Sequence, residues 1–451
     1  EIYTLSLHDA LPILAWFVIR GIAPGSYRVV ALTDMDGNFM YSQAAEAFAY
    51  NYDLIVPSCA PDLRQDTIWA DTIHIRDIRQ VPYTHFRPDN HVLRQFVKEQ
   101  VDRFFLKVER KEANMFQIFF SGPSTLMPQI KGQNFDGTDA FVVEHTPKLD
   151  TLTYWIKDSA LIDNDTLRID LTYDATDSLG NLVVRTDSAV EILSKQPYEK
   201  RMKQLKKDIE EWEKKLAKKR RRGEEVTDTI FPAKPLEPKY EISQQMAPDQ
   251  SIYINMPTPI QRIDTAAIHL YIKQDDKWYN DRFVLRQRQS ENATSRNLEI
   301  IAEWREGAEY SFEVDTLAFE DIYGRKSHPY KTGIKVRGTD EFSSLFVKPH
   351  YPGSDTLAIV VQMLDKSEKV LKQALTVDGT AEFYYVKPGD YYLRAFIDKN
   401  KNGKWDTGNF DEDLQPEEVY YYHEKVTCRE KWDVTRDWNL LSRPLDKQKP
   451  S

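Results

Sequence analysis

One segment of this chain occurs twice. The first copy runs Pro24-Gly25-Ser26-Tyr27 and on through Ala31 to Asp34-Met35-Asp36-Gly37-Asn38. The second runs Pro388-Gly389-Asp390-Tyr391 and on through Ala395 to Asp398-Lys399-Asn400-Lys401-Asn402-Gly403. Pro, Gly, Tyr, Ala and Asp recur at one spacing. Each copy reads as a Pro-Gly turn, an alternating strand, and a loop crowded with carboxylate and amide oxygens. Such a repeat points to an array of β modules rather than to a single catalytic domain.

The bulk numbers narrow the class. A chain of 451 residues has room for about three domains of ~150 residues. With 12% aromatic and 29% charged residues it has the composition of a folded protein, not a disordered one. A net charge of −10 argues against general nucleic-acid binding. No apolar run reaches the ~18 residues of a membrane-spanning helix. Cys59 and Cys428 form no metal-ligand pattern, and two unpaired buried thiols are expected.

Residues 1–13 resemble the translated read-through of a sequencing adapter. On that reading they are foreign to the native chain, and a signal segment upstream is lost.

Punctuation then divides the chain. Residues 14–56 read as the end of a truncated β module, with strands at 26–33 and 45–55. Pro57, Pro61, Pro82 and Pro88 make 57–94 an expected linker. Short strands with turn signals follow over 95–195, the spacing of a β-sandwich. Residues 196–239 break the pattern. Met202, Leu205, Ile209, Trp212 and Leu216 are spaced 3, 4, 3 and 4, which predicts a helix over 199–222 ending at Gly223. Between 200 and 222, 12 basic residues face 4 acidic ones, a local charge of +8. Such a helix is either a solvated spacer or a docking element for an anionic surface. Pro232, Pro235 and Pro238 follow as an extended return. Strand-rich sequence resumes over 240–338 and again over 339–451.

Two resemblances attach to these blocks. Met256-Pro257-Thr258-Pro259-Ile260, with Tyr310 to Asp315 and Phe319 to Gly324, resembles the bacterial Ig-like domain first described in surface-layer proteins. Residues 95–195 are similar to its sister domains. The order strand, Val386-Lys387-Pro388-Gly389-Asp390-Tyr391, strand resembles the carboxypeptidase-regulatory or transthyretin-like sandwich. Its surroundings, Asp398 to Gly408 and Leu414-Gln415-Pro416-Glu417, resemble the C-terminal module of Ig-like envelope lipoproteins of Gram-negative bacteria. Residues 14–56 would be the tail of another such module. The resemblance implies export, a lost N-terminal lipid anchor, and a place in the periplasm or at the outer membrane.

For chemistry, the strongest constellation is Asp398, Asn400, Asn402 and Asp406, at positions 1, 3, 5 and 9 of a loop with Gly403 at position 6. Ca²⁺ takes six to eight oxygens, and alternate residues of a tight loop can aim theirs at one point. Position 12, normally a bidentate Glu, is Asn409. Asp411, Glu412 or Asp413 would substitute only along a different path. The same residues can instead cap their own backbone in a turn. Asp34, Asp36 and Asn38 form a shorter, weaker candidate that Glu46 could complete. The nine histidines lack a metal or triad spacing, and no nucleophile motif occurs. Trp405 and Tyr420–Tyr422 are either an aromatic sugar platform or sandwich core.

The expectation is therefore an all-β protein of tandem Ig-like and transthyretin-like sandwiches with one inserted charged α-helix. Its expected role is non-enzymatic: a spacer, scaffold or binding component of the cell envelope. Its expected partners are other envelope proteins or surface glycans, with no nucleic acid and no membrane contact beyond the lost anchor. Catalytic residues are expected to be none, and Ca²⁺ is the one candidate cofactor. The alternatives are an accessory part of a carbohydrate-active or peptidase protein whose catalytic region lies upstream, or a glycan-binding module.

Overall fold

The computed structural model describes residues 19, 21–43, 45–71, 73–89, 91–99, 102–178, 181–223, 231–232, 234–289, 293–353 and 357–449. The adapter-like stretch 1–13 lies outside them. The chain is all-β with one long helix. No helix among the described residues is long and apolar enough to cross a membrane. Two compact units divide it: Glu1–Gln100 with Phe342–Ser451, and Val101–Glu341.

Val101–Glu341 holds two Ig-like sandwiches. In the first, Phe105–Glu112, Met115–Phe120, Thr151–Ile156 and Phe141–His145 form one sheet. Leu182–Leu193, Thr166–Thr176 and Gln129–Gly132 form the other. Alternation decides which side faces in. Phe116, Ile118 and Phe120 point inward from one strand and meet Leu167, Ile169 and Leu171 from the facing sheet. A large-to-Ala change at a fully buried position such as Ile118 costs ~2–5 kcal/mol.

A five-residue helix, Ser159–Asp163, was not legible in the sequence. Asp158 caps its start by accepting from the Ala160 amide. The buried Arg110 donates to the carbonyls of Ala113, Leu161, Ile162 and Asn164 and so satisfies its end.

The second sandwich packs the sheet of Lys239–Glu241, Ile252–Asn255, Asn297–Ala302 and Phe283–Gln287 on a five-stranded sheet centred on Glu309–Val314. Its two turn motifs are one structure. Asp321, fully buried, accepts from the Thr258 hydroxyl (2.7 Å), the Tyr323 amide (3.0 Å), and the Arg325 amide and Nε (both 2.8 Å). The Pro-Thr-Pro turn and the Asp-x-Tyr-Gly turn are thus tied through one carboxylate. Gly324, at φ +72°, takes the left-handed position that the turn requires.

The helix spans Tyr198–Arg221, close to the predicted 199–222. Its first turn is held by the Tyr198 amide on Asp165 (2.7 Å) and by Arg201 on Asp163 (3.1 Å). Trp212 and the other apolar residues line one side. None of the 24 residues is buried.

In the other unit, Ala381–Val386, Ser343–His350 and Asp433–Asn439 face the sheet of Val370–Leu375, Ala358–Leu364, Gly389–Asp398 and Val419–Tyr421. The N-terminal part contributes a three-stranded sheet: Val30–Leu32, Ala47–Tyr50 and Arg94–Val97. Two expectations are corrected here. Arg94, assigned from sequence to the linker, and residues 95–97, assigned to the sandwich at 95–195, complete this N-terminal sheet as the strand Arg94–Val97. The expected linker 57–94 is mostly a hairpin of Ser58–Trp69 with Ile75–Arg87. Both strands of a two-stranded ribbon are edges, so Pro61 and Pro82 remove no ladder donor that a third strand would need. Leu63, Trp69, Ile75, Ile78 and Phe86 remain exposed on it.

Candidate cation loops

The Pro-Gly-x-Tyr repeat folds alike in both places. The Tyr27 hydroxyl donates to the Ala23 carbonyl and the Tyr391 hydroxyl to that of Lys387, each at 2.7 Å. Each hook sets the start of a strand whose far end delivers an aspartate, Asp34 or Asp398.

At the first loop, Asp34 Oδ1 accepts from the amides of Gly37 (2.7 Å) and Asn38 (3.3 Å), and Oδ2 accepts from Phe39 (2.8 Å). These amides, Phe39 foremost, hold its carboxyl below the usual range. Glu46 is fully buried. Its Oε1 accepts from the Met35 amide (3.1 Å), and Oε2 from Ser42 (2.9 Å) and Gln43 (3.1 Å). The Ser42 amide leads in lowering its pKa. Asp36 gathers the side chains of Asn38, Ser42 and Gln43. One oxygen each from Asp34, Asp36 and Glu46 lies within 4.8 Å of the others. Asn38 does not point its amide oxygen to this group; that oxygen accepts from the Met40 amide (2.6 Å).

The second loop repeats the plan. Asp398, 1% exposed, accepts from the amides of Asn402 (3.1 Å) and Gly403 (2.7 Å). Asn400 and Asn402 turn their amide nitrogens to Asp406 Oδ2, at 2.6 and 2.9 Å. The closing carboxylate is neither Asp411 nor Asp413. Asp411 pairs with Lys98, and Asp413 accepts from the Tyr50 hydroxyl. The residue in that place is Glu417, which accepts from the amides of Lys399 (2.7 Å) and Asp406 (3.1 Å). Lys399 follows Asp398 as Met35 follows Asp34, so Glu417 and Glu46 are equivalents. Burial pushes the Glu417 carboxyl up; Asp406 and Asp398 add to this against the two amides.

Sequence reasoning missed Glu417 because the second loop is longer. The available signal was the repeat itself, with Glu46 in the shorter copy. Among the described residues, Asp34, Asp36 and Glu46 are the one group of three or more carboxylate, histidine or cysteine ligands converged this closely. The carboxylates around Asp398 are more widely spaced. The loop with the fuller sequence pattern is thus the looser of the two in geometry.

The N-terminal sheet lies against the chain that follows the second loop. Phe410 meets Phe48 at 4.7 Å and Tyr50 at 5.3 Å, both edge-on. Thr407 donates to the Val97 carbonyl at 2.6 Å. A Cβ at Gly408 would come within 2.9 Å of the Phe96 ring, so close approach requires glycine there. Tyr420, Tyr421 and Tyr422 are all buried and form no sugar platform. Both cysteines are free; Cys428 is buried, whereas Cys59 is exposed, contrary to expectation.

No protein-family model and no curated protein matches this chain. Among the solved structures it is similar to are three from bacterial proteins. The Bacillus anthracis TIE protein is 9% identical over 75% of this chain and 58% of that one, with a TM-score of 0.16. The N-terminal part of the S-layer protein SbsC is 13% identical over 37% and 41%, at 0.18. BcpA, the major pilin subunit of Bacillus cereus, is 10% identical over 61% and 80%, at 0.16. The chain therefore spans less than two thirds of the length of the first two. At these identities and scores, nothing about activity passes from them to this chain.

Proposed function

We propose that this is an exported, non-enzymatic component of the cell envelope that acts as a structural spacer or scaffold. The observation that carries the reading is how the two Ig-like sandwiches of Val101–Glu341 are joined. Glu144 of the first accepts from the Ser295 hydroxyl (2.7 Å) and Arg296 Nε (2.8 Å) of the second, and from Trp155 Nε1 (2.9 Å) of its own sheet. Tyr323 of the second donates to the Asn114 carbonyl of the first (3.2 Å). Polar side chains spent on fixing one sandwich against the next suit a protein that holds distance or orientation. A periplasmic or outer-membrane site in a Gram-negative bacterium, a lipid anchor upstream, and envelope proteins or glycans as partners complete the proposal. Fractionation of the native cells, with lipid labelling of the full-length product, tests it. A cytoplasmic, unlipidated protein would refute it, and an upstream catalytic domain would favour the accessory-protein alternative.

A second reading concerns Ca²⁺. The convergence of Asp34, Asp36 and Glu46 favours a structural cation at the first loop, and the shared plan extends the proposal to Asp398, Asn400, Asn402, Asp406 and Glu417. A bound cation would relieve the repulsion among these carboxylates and brace the strand ends. Melting in Ca²⁺ against chelator is the test.

A further inference from the structure

We infer that the helix Tyr198–Arg221 pairs antiparallel with the same helix of a second copy of this chain. Met202, Leu205, Ile209, Trp212 and Leu216 occupy alternating first and fourth heptad positions, the seam of a two-stranded coiled coil. Among the described residues no neighbour fully covers that seam. No residue of the helix is buried: Leu205 is 38% exposed, and Met202, Ile209, Trp212 and Leu216 are half-buried. Phe231 of the return segment meets the edge of Trp212 at 5.7 Å and covers one flank.

The charges beside the seam choose the occupant. In a parallel self-pair, Arg201 would face Lys206 of the second copy, Asp208 would face Glu213, and Lys215 would face Arg220. All three are like-charged. In an antiparallel pair with Ile209 opposite Trp212, Leu205 meets Leu216. The flanking positions then join Glu199 with Arg220, Lys206 with Glu213, and Asp208 with Lys215. All three are opposite in sign, and the two-fold axis makes each occur twice. Arg201 with Arg222 is the exception, and Arg201 is already turned to Asp163 at 3.1 Å. An anionic bilayer fits less well. Asp208 and Glu213 flank the seam in the middle turns and would face its headgroups, and a two-position stripe is narrower than the apolar face of an interfacial helix.

The test is sedimentation equilibrium of the full chain at near-physiological salt, from about 1 to 100 μM. Wild type is expected to dimerise in that range. Glu213→Lys sets two like-charged pairs against each other and should raise the dissociation constant about tenfold. Adding Lys206→Glu swaps the pair and should restore wild-type association, which a parallel pair does not predict because there Lys206 faces Arg201. Both substituted positions are exposed on the helix, so circular dichroism should be unchanged. A wild type that is monomeric throughout overturns the proposal. So does a dimer indifferent to Glu213→Lys, or a double variant that stays weak. Flotation of monomeric chain with phosphatidylglycerol vesicles would overturn it in favour of a lipid surface.

Discussion

Arg296 donates its Nε–H to Oε2 of Glu144, 2.8 Å away across the junction of the two Ig-like sandwiches. The Glu144 side chain is 5% exposed and that of Arg296 25%. The arginine also lies 5.0 Å over the Trp155 ring. A carboxylate this buried is costly once its cation is gone, because Trp155 and Ser295 supply only neutral donors.

Arg296→Ala should therefore cost about 1–3 kcal/mol. It should also uncouple the two sandwiches, so that one urea transition becomes two. Tryptophan fluorescence and far-UV circular dichroism, followed together, make the measurement. A single transition with an unmoved midpoint would show that the junction contributes nothing.

Asp321→Ala should destabilise the second sandwich by about 3 kcal/mol, since it leaves Thr258, Arg325 and two amides without their shared acceptor. Asp315 makes a fair control. Its side chain is 62% exposed against His269, and its removal should cost under about 1 kcal/mol. Equal losses for the two would contradict the central role given to Asp321.

Millimolar Ca²⁺ should raise the melting temperature of the full chain by about 2–4 °C over chelator. Asp34→Asn should remove most of the gain if the converged loop is the main site, and Asp398→Asn should remove most if the longer loop is. Superimposable melts in Ca²⁺ and chelator would leave both loops as self-capped turns.

The ribbon should respond to pH through His85, which lies 2.9 Å from Asp89 and 3.0 Å from Asp62. These carboxylates, Asp89 foremost, raise its pKa. A raised histidine contributes stability that is complete below its unfolded value of ~6.5 and is lost as pH rises through the folded one. Asp89 and Asp62 are lowered, Asp89 chiefly by His85 and Asp62 chiefly by the Leu63 amide. Their share is lost as pH falls below ~4. Amide exchange in Ser58–Arg87, corrected for intrinsic rates, should therefore be slower at about pH 6 than at about pH 8, and His85→Ala should abolish the difference. Protection unchanged between the two pH values would exclude a role for this triplet.

Which features were legible follows from how local their causes are. Met115–Phe120 is a short apolar-aromatic run stopped by the Ser121-Gly122-Pro123 turn, and the 3, 4, 3, 4 spacing of Met202 to Leu216 lies within one helix; both signals are complete inside a short window. Arg94–Val97 carries no such window. It is a strand because Ala47–Tyr50 lies beside it. The ribbon was hidden by its prolines and charges, which read as a linker until the partner strand is seen. In the candidate loops the Asp and Asn positions were readable, whereas Glu417 arrives 19 residues after Asp398, brought back by the pairing of Val419–Tyr421 with Gly389–Asp398.

The docking of Phe410, Thr407 and Gly408 on the N-terminal sheet also sets an order of events during synthesis. Thr407 and Val97 are 310 residues apart in the chain. At ~5–20 residues per second, Phe48 and Tyr50 leave the ribosome about 18–72 s before Phe410, whose ring covers them. Val101–Glu341, contiguous in sequence, can complete its own cores in that interval. The strands Ala47–Tyr50 and Arg94–Val97 are thus made before Val101–Glu341 but covered after it, and until then their aromatic side chains are open to chaperones or to premature association.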